Sequence, residues 1–410
     1  MERSKSPRAL IRLLSLISFV VLVSCSSDTT DDATEIPGSQ HKLTSNSKTS
    51  TTSSSKTGSQ NEDETFVVTD STVTLRNNDF PKPKGRVINI MVTGVDSRLG
   101  DNTMHADANH LVRFFLDSGC VEIISIPRDT YADAGFDDTT NLNKLTNVRA
   151  NRGRNTYHKA ISEITGVSPI HHWVEFGFSQ AIGLLEILGY KENAPSTLRV
   201  LRSRQAYSAG DYQRVYNQGQ FIRQAMLRNV KHADDMLGDL ALRAALMIVD
   251  TDMSYDQCST LLEALVAGGF SDDASRIWVR LAPSMITRMQ TFSFDSANIV
   301  ALNKQIEHRI KKLGLDSVKI TEETYEARLN KLIANAEADT AKRPRNVIHA
   351  LRRPFEQRAW LQVPDRKRRA QYCDRLCVAL EKSYRKTKQQ QSADRVRAYV
   401  NEVSKLTEGK

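Results

Sequence analysis

The hydrophobic positions of this chain fall into short apolar runs that alternate with stretches of helical spacing. The strand-like runs lie at 87–93, 110–116, 121–126, 171–176, 198–201 and 276–281. Apolar residues recur at helical intervals in 154–165, 179–188, 211–230, 234–249 and 255–266. Strands that alternate with helices predict a layered α/β fold around a central sheet.

The first 24 residues have the pattern of an export signal. Basic residues precede an apolar run at 13–24, which is shorter than the ~20 residues that a membrane-spanning helix needs. The run ends in Leu22-Val23-Ser24-Cys25, which resembles the lipobox of bacterial lipoproteins. We therefore expect a lipoprotein signal peptide over 1–24, lipidation of Cys25 and an extracytoplasmic, membrane-anchored chain. An ordinary cleaved signal or a short membrane anchor is the alternative.

The segments that flank the α/β pattern differ from it in composition. Residues 25–80 begin with a stretch dominated by serine and threonine. This composition offers too little apolar surface to offset the entropy lost on ordering, so we predict that residues 25–80 form a disordered tether. The α/β pattern itself occupies residues 86–290. From residue 295 to 410 the pattern is helical and charged, with Pro344, Pro354 and Pro364 expected to divide it into short helices.

The charge of the chain is concentrated at its C-terminal end. The whole sequence carries a net charge of +9, whereas residues 301–410 alone hold 26 Lys and Arg against 14 Asp and Glu. Three readings of this region stay open: a solvated helical accessory, a surface for anionic lipid or wall polymer, and a nucleic-acid surface that includes the basic cluster 366–369. The predicted export argues against nucleic acid as a partner.

Arginines and aspartates stand where the predicted strands begin and end. Ligands in open α/β sheets bind at strand ends, so these side chains can converge although the sequence separates them. Two aspartates suit a hard divalent cation that bridges to phosphate oxygens, and guanidinium forks suit the phosphate itself. From residue chemistry alone, a metal-bound pyrophosphate site and a set of solvated surface charges are equally good readings. The residues are Asp96, Arg98, Asp107, Arg128, Asp129, Arg202, Arg204, Asp211, Arg214 and Gln218.

The order of these residues resembles the LytR-CpsA-Psr family. The matching motifs are Gly94-Val95-Asp96-Ser97-Arg98, Asp107, Ser125-Ile126-Pro127-Arg128-Asp129-Thr130, Leu201-Arg202-Ser203-Arg204 and 211–218. The resemblance runs from about residue 86 to 230. It implies an α/β/α sandwich with a central mixed sheet and an extracytoplasmic phosphotransferase. Such an enzyme moves a glycopolymer from a polyprenyl-pyrophosphate carrier onto peptidoglycan or a similar wall acceptor.

The resemblance also implies a role for each matching residue. Asp96 and Asp107 would hold Mg²⁺, or Mn²⁺, against the pyrophosphate. The catalytic set would be Arg98, Arg128, Asp129, Arg202, Arg204 and Arg214, with Asp129 orienting an arginine or acting near the attacking hydroxyl. The substrate-binding set would be His105, Lys144, Asp211 and Gln218.

Three positions depart from the family pattern. His105, Thr146 and Asn217 stand where the family usually carries Arg, Asn and Arg. One lost arginine–phosphate contact costs about 1.5–3 kcal/mol. These departures leave a second hypothesis open, in which the chain binds polyprenyl-pyrophosphate lipids without turnover, and a third in which it is a regulator.

Overall fold

A computed structural model describes residues 70–75, 80–97, 99, 103–204, 209–230, 236–285, 287–312 and 322–408. The predictions for the signal peptide, for Cys25, for the tether up to residue 69 and for Arg98 concern residues outside these ranges. Among the described residues, no helix has the length and apolar character required to cross a membrane.

Eight strands and eleven α-helices make up the described chain. The strands are β1 (Asp70–Leu75), β2 (Val87–Asp96), β3 (His105–Phe115), β4 (Cys120–Ile126), β5 (His172–Phe176), β6 (Asp250–Thr251), β7 (Ile277–Leu281) and β8 (Thr287–Phe292). The helices are α1 (Leu145–Thr165), α2 (Phe178–Ile187), α3 (Ala194–Arg202), α4 (Gly210–Asn229), α5 (Met236–Ile248), α6 (Tyr255–Ala267), α7 (Ser296–Lys312), α8 (Glu322–Asp339), α9 (Pro344–Glu356), α10 (Arg366–Lys386) and α11 (Gln390–Glu408).

The central sheet has six strands in the order β6-β5-β2-β3-β4-β7. The β2–β3 and β3–β4 pairs are antiparallel, whereas β2–β5 and β4–β7 are parallel. Helix α1 packs on one face through Leu145, Val148 and Ile161. Helices α2 to α7 pack on the other face, where Ile90 and Val112 contribute to their core. The predicted α/β/α sandwich with a mixed sheet is confirmed.

Helix α4 approaches the sheet closely at Gly219. A Cβ atom there would lie 2.5 Å from Ser125 Oγ and 2.7 Å from Val279 Cγ1. Ser125 Oγ is also held by a hydrogen bond to His110 Nδ1, 2.9 Å away, so it has little freedom to move. Glycine at this position therefore sets the spacing between the helix and strands β4 and β7.

We expect Gly219→Ala to lower the free energy of unfolding by about 1–3 kcal/mol through overpacking. This loss exceeds the gain of up to ~1 kcal/mol that alanine brings to a helix interior. Chemical denaturation of the variant and of the neighbouring Gln220→Ala measures the difference. Equal or greater stability of Gly219→Ala than of the unmodified chain would contradict the close approach.

Two segments differ from the sequence-based expectations in the main domain. Residues 198–201, predicted as a short strand, form the end of helix α3, because an apolar run of four residues fits a buried helical face equally well. Residues 70–75, placed in the disordered tether, form strand β1, which pairs with β8. Strand β8 supplies hydrogen-bond partners for the backbone of β1, and the composition of residues 70–75 does not reveal such a partner.

The helical C-terminal region is confirmed, with two differences from the prediction. Helix α7 belongs to the main core, because Ile299, Leu302 and Ile306 pack there, so that core continues past residue 290. Pro354 lies inside α9 instead of ending it, since a proline in the last turn removes only one helical hydrogen bond.

Helices α8 to α11 have a core of their own and dock on the main domain. Arg369 forms two hydrogen bonds to the Glu186 carboxylate, at 2.7 and 2.9 Å. The Arg358 guanidinium donates to the Met247 carbonyl at 3.0 Å. Arg368, in the same basic cluster, pairs with Glu326. Two arginines of the cluster 366–369 thus stabilise this region and its contact with the main domain. This favours the interpretation of residues 295–410 as a helical accessory to the main domain.

Candidate functional site

Two buried carboxylates meet where β2 ends and β3 begins. Asp96 is the last residue of β2 and is 6% exposed, and Asp107 lies in β3 and is 2% exposed. The register between the two strands shifts at Gly94 and Val95, which face Ala108 and Ala106. Asp107 is therefore the extra residue of a β-bulge, a feature that redirects a side chain out of the regular strand alternation.

A cavity of about 220 Å³ opens at this edge of the sheet. Six of the predicted site residues line it: Asp96, His105, Asp107, Arg128, Asp129 and Lys144. The remaining lining residues are Leu142, Thr146 and Asn147. The carboxyl ends of β2 and β4 lie side by side with the start of β3 here, as the strand-end reasoning predicts.

Arg128 connects two of the three carboxylates that line the cavity. Its Nη1 donates to Asp107 Oδ1 at 2.7 Å, and its Nε lies 3.9 Å from Asp129 Oδ2. Burial opposes the charge on Arg128, but the carboxylates of Asp107, Asp129 and Asp211 outweigh that effect and raise the pKa of the guanidinium. Lys144 Nζ lies 3.6 Å from Asp129 Oδ1. Asp129 thus lies between two cations.

The start of helix α1 shapes the wall of the cavity. The Leu145 and Thr146 amides donate to the Thr130 and Arg128 carbonyls, at 2.8 and 3.0 Å. These first-turn amides therefore tie the helix to the loop after β4 and leave anion binding to side chains. Asn147, which the motif comparison did not single out, lines the cavity one position after Thr146. The helical spacing after Lys144 is the signal that places it on the same wall.

Arg214 lies behind the cavity and supports Asp107 from the side of helix α4. It is 1% exposed, its Nη2 donates to the Asp107 carbonyl at 3.2 Å, and it pairs with Asp211 Oδ1 at 2.5 Å. Burial lowers the pKa of Arg214 to about 10, although Asp211 acts in the opposite direction. The guanidinium stays protonated at neutral pH and holds the backbone of the bulge.

The other two arginines of the predicted set lie outside the lining of this cavity. The Arg202 guanidinium lies over the Phe178 ring, 4.9 Å from its centroid. Arg204 is near enough to Arg214 for its charge to lower the pKa of that guanidinium. Arg202 is the last residue of helix α3, and Arg204 lies two positions beyond it.

Gln218 lies in the core and does not line the cavity. Its Nε2 donates to the Leu201 carbonyl at 3.0 Å, and its Oε1 lies 3.3 Å from His110 Nε2. One helical turn separates Gln218 from Arg214, a rise of about 6 Å along α4, which moves its side chain past the cavity. Asn217, the departure from the family pattern on this helix, is also buried and accepts a hydrogen bond from Gln213.

His110 ties this core network to the sheet and was missed by the sequence reasoning, because it lies within an apolar run. It is fully buried, and burial lowers its pKa to about 4. The pKa of His158 on α1 is also lowered to about 4 by burial. Both imidazoles are therefore neutral in the folded chain at pH 7.

We expect acid destabilisation between pH 6.5 and pH 4. The folded-state pKa of His110 lies below the unfolded value of about 6.5, so the unfolded chain binds more protons as the pH falls. This histidine alone removes up to about 3 kcal/mol of stability across that window. Denaturation of the unmodified chain and of His110→Gln at pH 7.0 and pH 5.0 measures the effect. The variant should lose less of its free energy of unfolding between pH 7.0 and pH 5.0 than the unmodified chain. An equal loss in both would contradict the lowered pKa of His110.

The donor set of the cavity fits a hard divalent cation. Asp96 and Asp107 supply carboxylate oxygens from adjacent strands, and the cavity leaves room for water and phosphate oxygens as the further ligands. Among the residues that the structure describes, no group of three or more His, Cys, Asp and Glu side chains forms a complete protein cage. Mg²⁺ commonly keeps several waters and binds through one or two carboxylates together with substrate phosphates.

Comparison with solved structures finds several proteins of low sequence identity. TagV of B. subtilis is 15% identical over 56% of this chain and 99% of its own, with a TM-score of 0.39. The structure of TagT bound to LI-WTA is 15% identical over 55% and 91%, with a TM-score of 0.36. A protein from Enterococcus faecalis described as a transcriptional regulator is 19% identical over 56% and 93%, with a TM-score of 0.38.

No curated protein matches the chain. The sequence model of one protein family does match the chain, and the match includes the first motifs of the site. The match spans residues 41–187, which include β2 to β5, both carboxylates of the cavity, Arg128 and Lys144. The resemblance predicted from the motifs is therefore confirmed over residues 41–187, which match the model of the LytR_cpsA_psr family.

Proposed function

We propose that this chain is a cell-envelope phosphotransferase that moves a glycopolymer from a polyprenyl-pyrophosphate carrier onto peptidoglycan or a similar wall acceptor. The observation that carries the proposal is the single cavity that gathers Asp96, Asp107, Arg128, Asp129 and Lys144. Three carboxylates and two cations at one strand edge suit a pyrophosphate whose charge is shared between a metal and guanidinium or ammonium groups. The family match over residues 41–187 supports the same class of reaction.

The proposed reaction breaks a phosphoanhydride bond and forms a phosphodiester bond. An acceptor hydroxyl attacks the phosphorus that carries the glycan, a new P–O bond forms, and the bond between the two phosphates breaks. Polyprenyl phosphate leaves with the electron pair, and Asp129, 43% exposed at its side chain, is placed to receive the hydroxyl proton. Phosphoryl transfer needs chiefly alignment and charge neutralisation, so little further covalent chemistry is asked of the protein.

Each residue of the cavity has a proposed task. Arg128 neutralises a non-bridging phosphate oxygen through its fork, and the Arg128–Asp107 ion pair keeps that fork in place before substrate enters. Asp96 and Asp107 hold Mg²⁺, which when bound supplies positive charge to the pyrophosphate. Lys144 adds a point charge beside Asp129. Arg214 acts as a positioning residue through the Asp107 carbonyl.

The chain is further proposed to be extracytoplasmic and anchored to a membrane by a lipid on Cys25. The lipobox-like sequence Leu22-Val23-Ser24-Cys25 carries this part. Metabolic labelling with a fatty acid should mark the unmodified chain and leave Cys25→Ala unlabelled. Equal labelling of the unmodified chain and Cys25→Ala would contradict the proposed lipid anchor and would leave the proposed reaction unaffected.

A second candidate function is binding of polyprenyl-pyrophosphate lipids without turnover. His105 motivates it, because this histidine lines the cavity at a position where the family usually has arginine. An imidazole offers single hydrogen-bond donors on separate ring nitrogens, whereas a guanidinium offers a fork of paired donors. His105→Arg should then raise turnover if the histidine weakens catalysis, and leave it unchanged if the enzyme already operates with the histidine.

Transfer is tested with the purified full chain in detergent, Mg²⁺, a radiolabelled polyprenyl-pyrophosphate glycan and isolated peptidoglycan. The proposal expects label to become covalently attached to peptidoglycan as polyprenyl phosphate is released. Asp129→Asn serves as the matched control, since it keeps the shape of the side chain and removes its charge. Tight binding of the lipid with neither product formed would instead establish the binding function.

A further inference from the structure

A second cavity lies at the opposite edge of the central sheet. Its volume is about 440 Å³, and it opens where β2 and β5 begin and α1 ends. Asn89 and Asp96 are seven residues apart on β2, a distance of about 23 Å at 3.3 Å per residue. The lining residues that matter here are Asn89, Arg113, Pro169, His171 and Arg280. The two cavities are therefore separate sites.

Two arginines in this cavity share one carboxylate. Arg113 Nη1 donates to Glu122 Oε2 at 2.6 Å, and Arg280 Nε donates to Glu122 Oε1, also at 2.6 Å. The exposed side-chain fractions are 24% for Arg113, 16% for Arg280 and 7% for Glu122. The group thus carries a net charge of +1 with most of its surface removed from water, a state that an added anion stabilises.

Several N–H groups of this cluster remain available to a ligand. Within the described ranges, Arg113 Nη2 and both terminal nitrogens of Arg280 donate to no protein atom. His171 Nδ1 accepts the Asn89 amide at 2.9 Å, which places the proton of the neutral imidazole on Nε2. His171 therefore offers one more donor on the cavity wall.

Asn89 on β2 holds the wall of the cavity that is formed by the turn after α1. Asn89 Nδ2 donates to the Pro169 carbonyl at 2.8 Å, and its Oδ1 lies 3.4 Å from Arg113 Nε. Asn89 is only 4% exposed. It links the turn after α1 to the arginine cluster, so the cavity has a fixed shape before any ligand enters.

We propose that this cavity is a binding site for a phosphoryl group, distinct from the candidate catalytic site. The available N–H groups of two guanidiniums and one imidazole, from three different strands or loops, suit a tetrahedral anion, whose oxygens point in several directions. A flat carboxylate would pair with one guanidinium and leave the other without a ligand. The proposal is independent of the transferase activity, since it requires only the residues of this edge of the sheet.

The test uses the purified full chain and inorganic phosphate, with binding measured by isothermal titration calorimetry at constant ionic strength. Arg113→Gln and Arg280→Gln are matched variants, because each leaves Glu122 with one arginine partner and keeps the cluster paired. We expect each to weaken phosphate binding at least about 10-fold, the effect of losing one charge-assisted contact. Arg128→Gln removes phosphate that binds in the other cavity, so the binding that remains in this variant belongs to Arg113 and Arg280. Arg152→Gln changes an exposed arginine outside both cavities and should leave phosphate binding unchanged.

The outcomes separate the proposal from its rivals. Phosphate affinity that is unchanged in both Arg113→Gln and Arg280→Gln overturns it, and so does acetate binding as tight as phosphate in the same titration. Tighter binding of glycerol phosphate than of inorganic phosphate would identify an esterified ligand, and the reverse order would identify the free ion. Both of these orders support a phosphoryl site. A failure of glycan transfer, by contrast, has no bearing on this titration.

Discussion

Arg128→Ala is expected to reduce kcat/KM for glycan transfer by about 10²–10³-fold, the loss typical of removing one preorganised donor to a developing charge. The guanidinium both faces the proposed phosphate and pairs with Asp107, which is 2% exposed. Arg128→Lys keeps the charge and removes the fork, so it should recover only part of the activity. The activities of the unmodified chain, Arg128→Ala and Arg128→Lys are compared through the initial rates at which label is transferred to peptidoglycan.

The matched control for this prediction is Arg152→Ala. Arg152 belongs to α1, is 47% exposed and lies 3.6 Å from the exposed Asp133. A surface pair of this kind contributes little, so the variant should transfer glycan at the unmodified rate. Full activity of Arg128→Ala, with a folded protein, would remove the cavity from the proposed reaction.

Arg214→Leu is expected to lower the free energy of unfolding by about 3–5 kcal/mol, the loss seen when one member of a buried ion pair is removed. The substitution leaves Asp211, 16% exposed, without its cation and the Asp107 carbonyl without the Arg214 donor. Leucine also fills less of the space. Chemical denaturation followed by circular dichroism gives the number directly.

Two companion variants separate charge from packing. Asp211→Asn combined with Arg214→Leu should recover part of the stability, because no carboxylate is then left uncompensated. Arg243→Leu breaks an exposed pair with Asp239, where the two side chains are 46% and 31% exposed, and should change stability by less than about 1 kcal/mol. A loss for Arg214→Leu as small as that of Arg243→Leu would contradict its role behind the cavity.

The strands that carry the site were predictable from the sequence because their patterns are local. Asp96 and Arg128 follow the apolar runs of β2 and β4, and Asp107 precedes that of β3, so the sequence indicated that these three could share one edge of the sheet. The motif resemblance then favoured a site over a set of solvated surface charges. The structure places these three in one cavity. The β-bulge that turns Asp107 toward the others was not predictable, since it depends on how two strands pair.

The predictions failed where tertiary packing decides the outcome. The run 198–201 is apolar enough for a strand, yet it packs as the buried side of α3. Gln218 has the correct helical spacing from Arg214, but the sequence does not show that one turn of α4 carries it from the cavity into the core. Helix α7 was grouped with the basic tail by its charge, whereas its three buried apolar residues join the main core.

The central claim is that the cavity of Asp96, Asp107 and Arg128 binds a metal-bound pyrophosphate. The most direct measurement is calorimetric titration of the full chain with geranyl pyrophosphate, with and without Mg²⁺, repeated for Asp107→Asn. We predict binding at least about 10-fold tighter with Mg²⁺, the value of one charge-assisted contact, and loss of that difference in the variant. Affinity that is the same with and without Mg²⁺, and the same in Asp107→Asn, would contradict the claim.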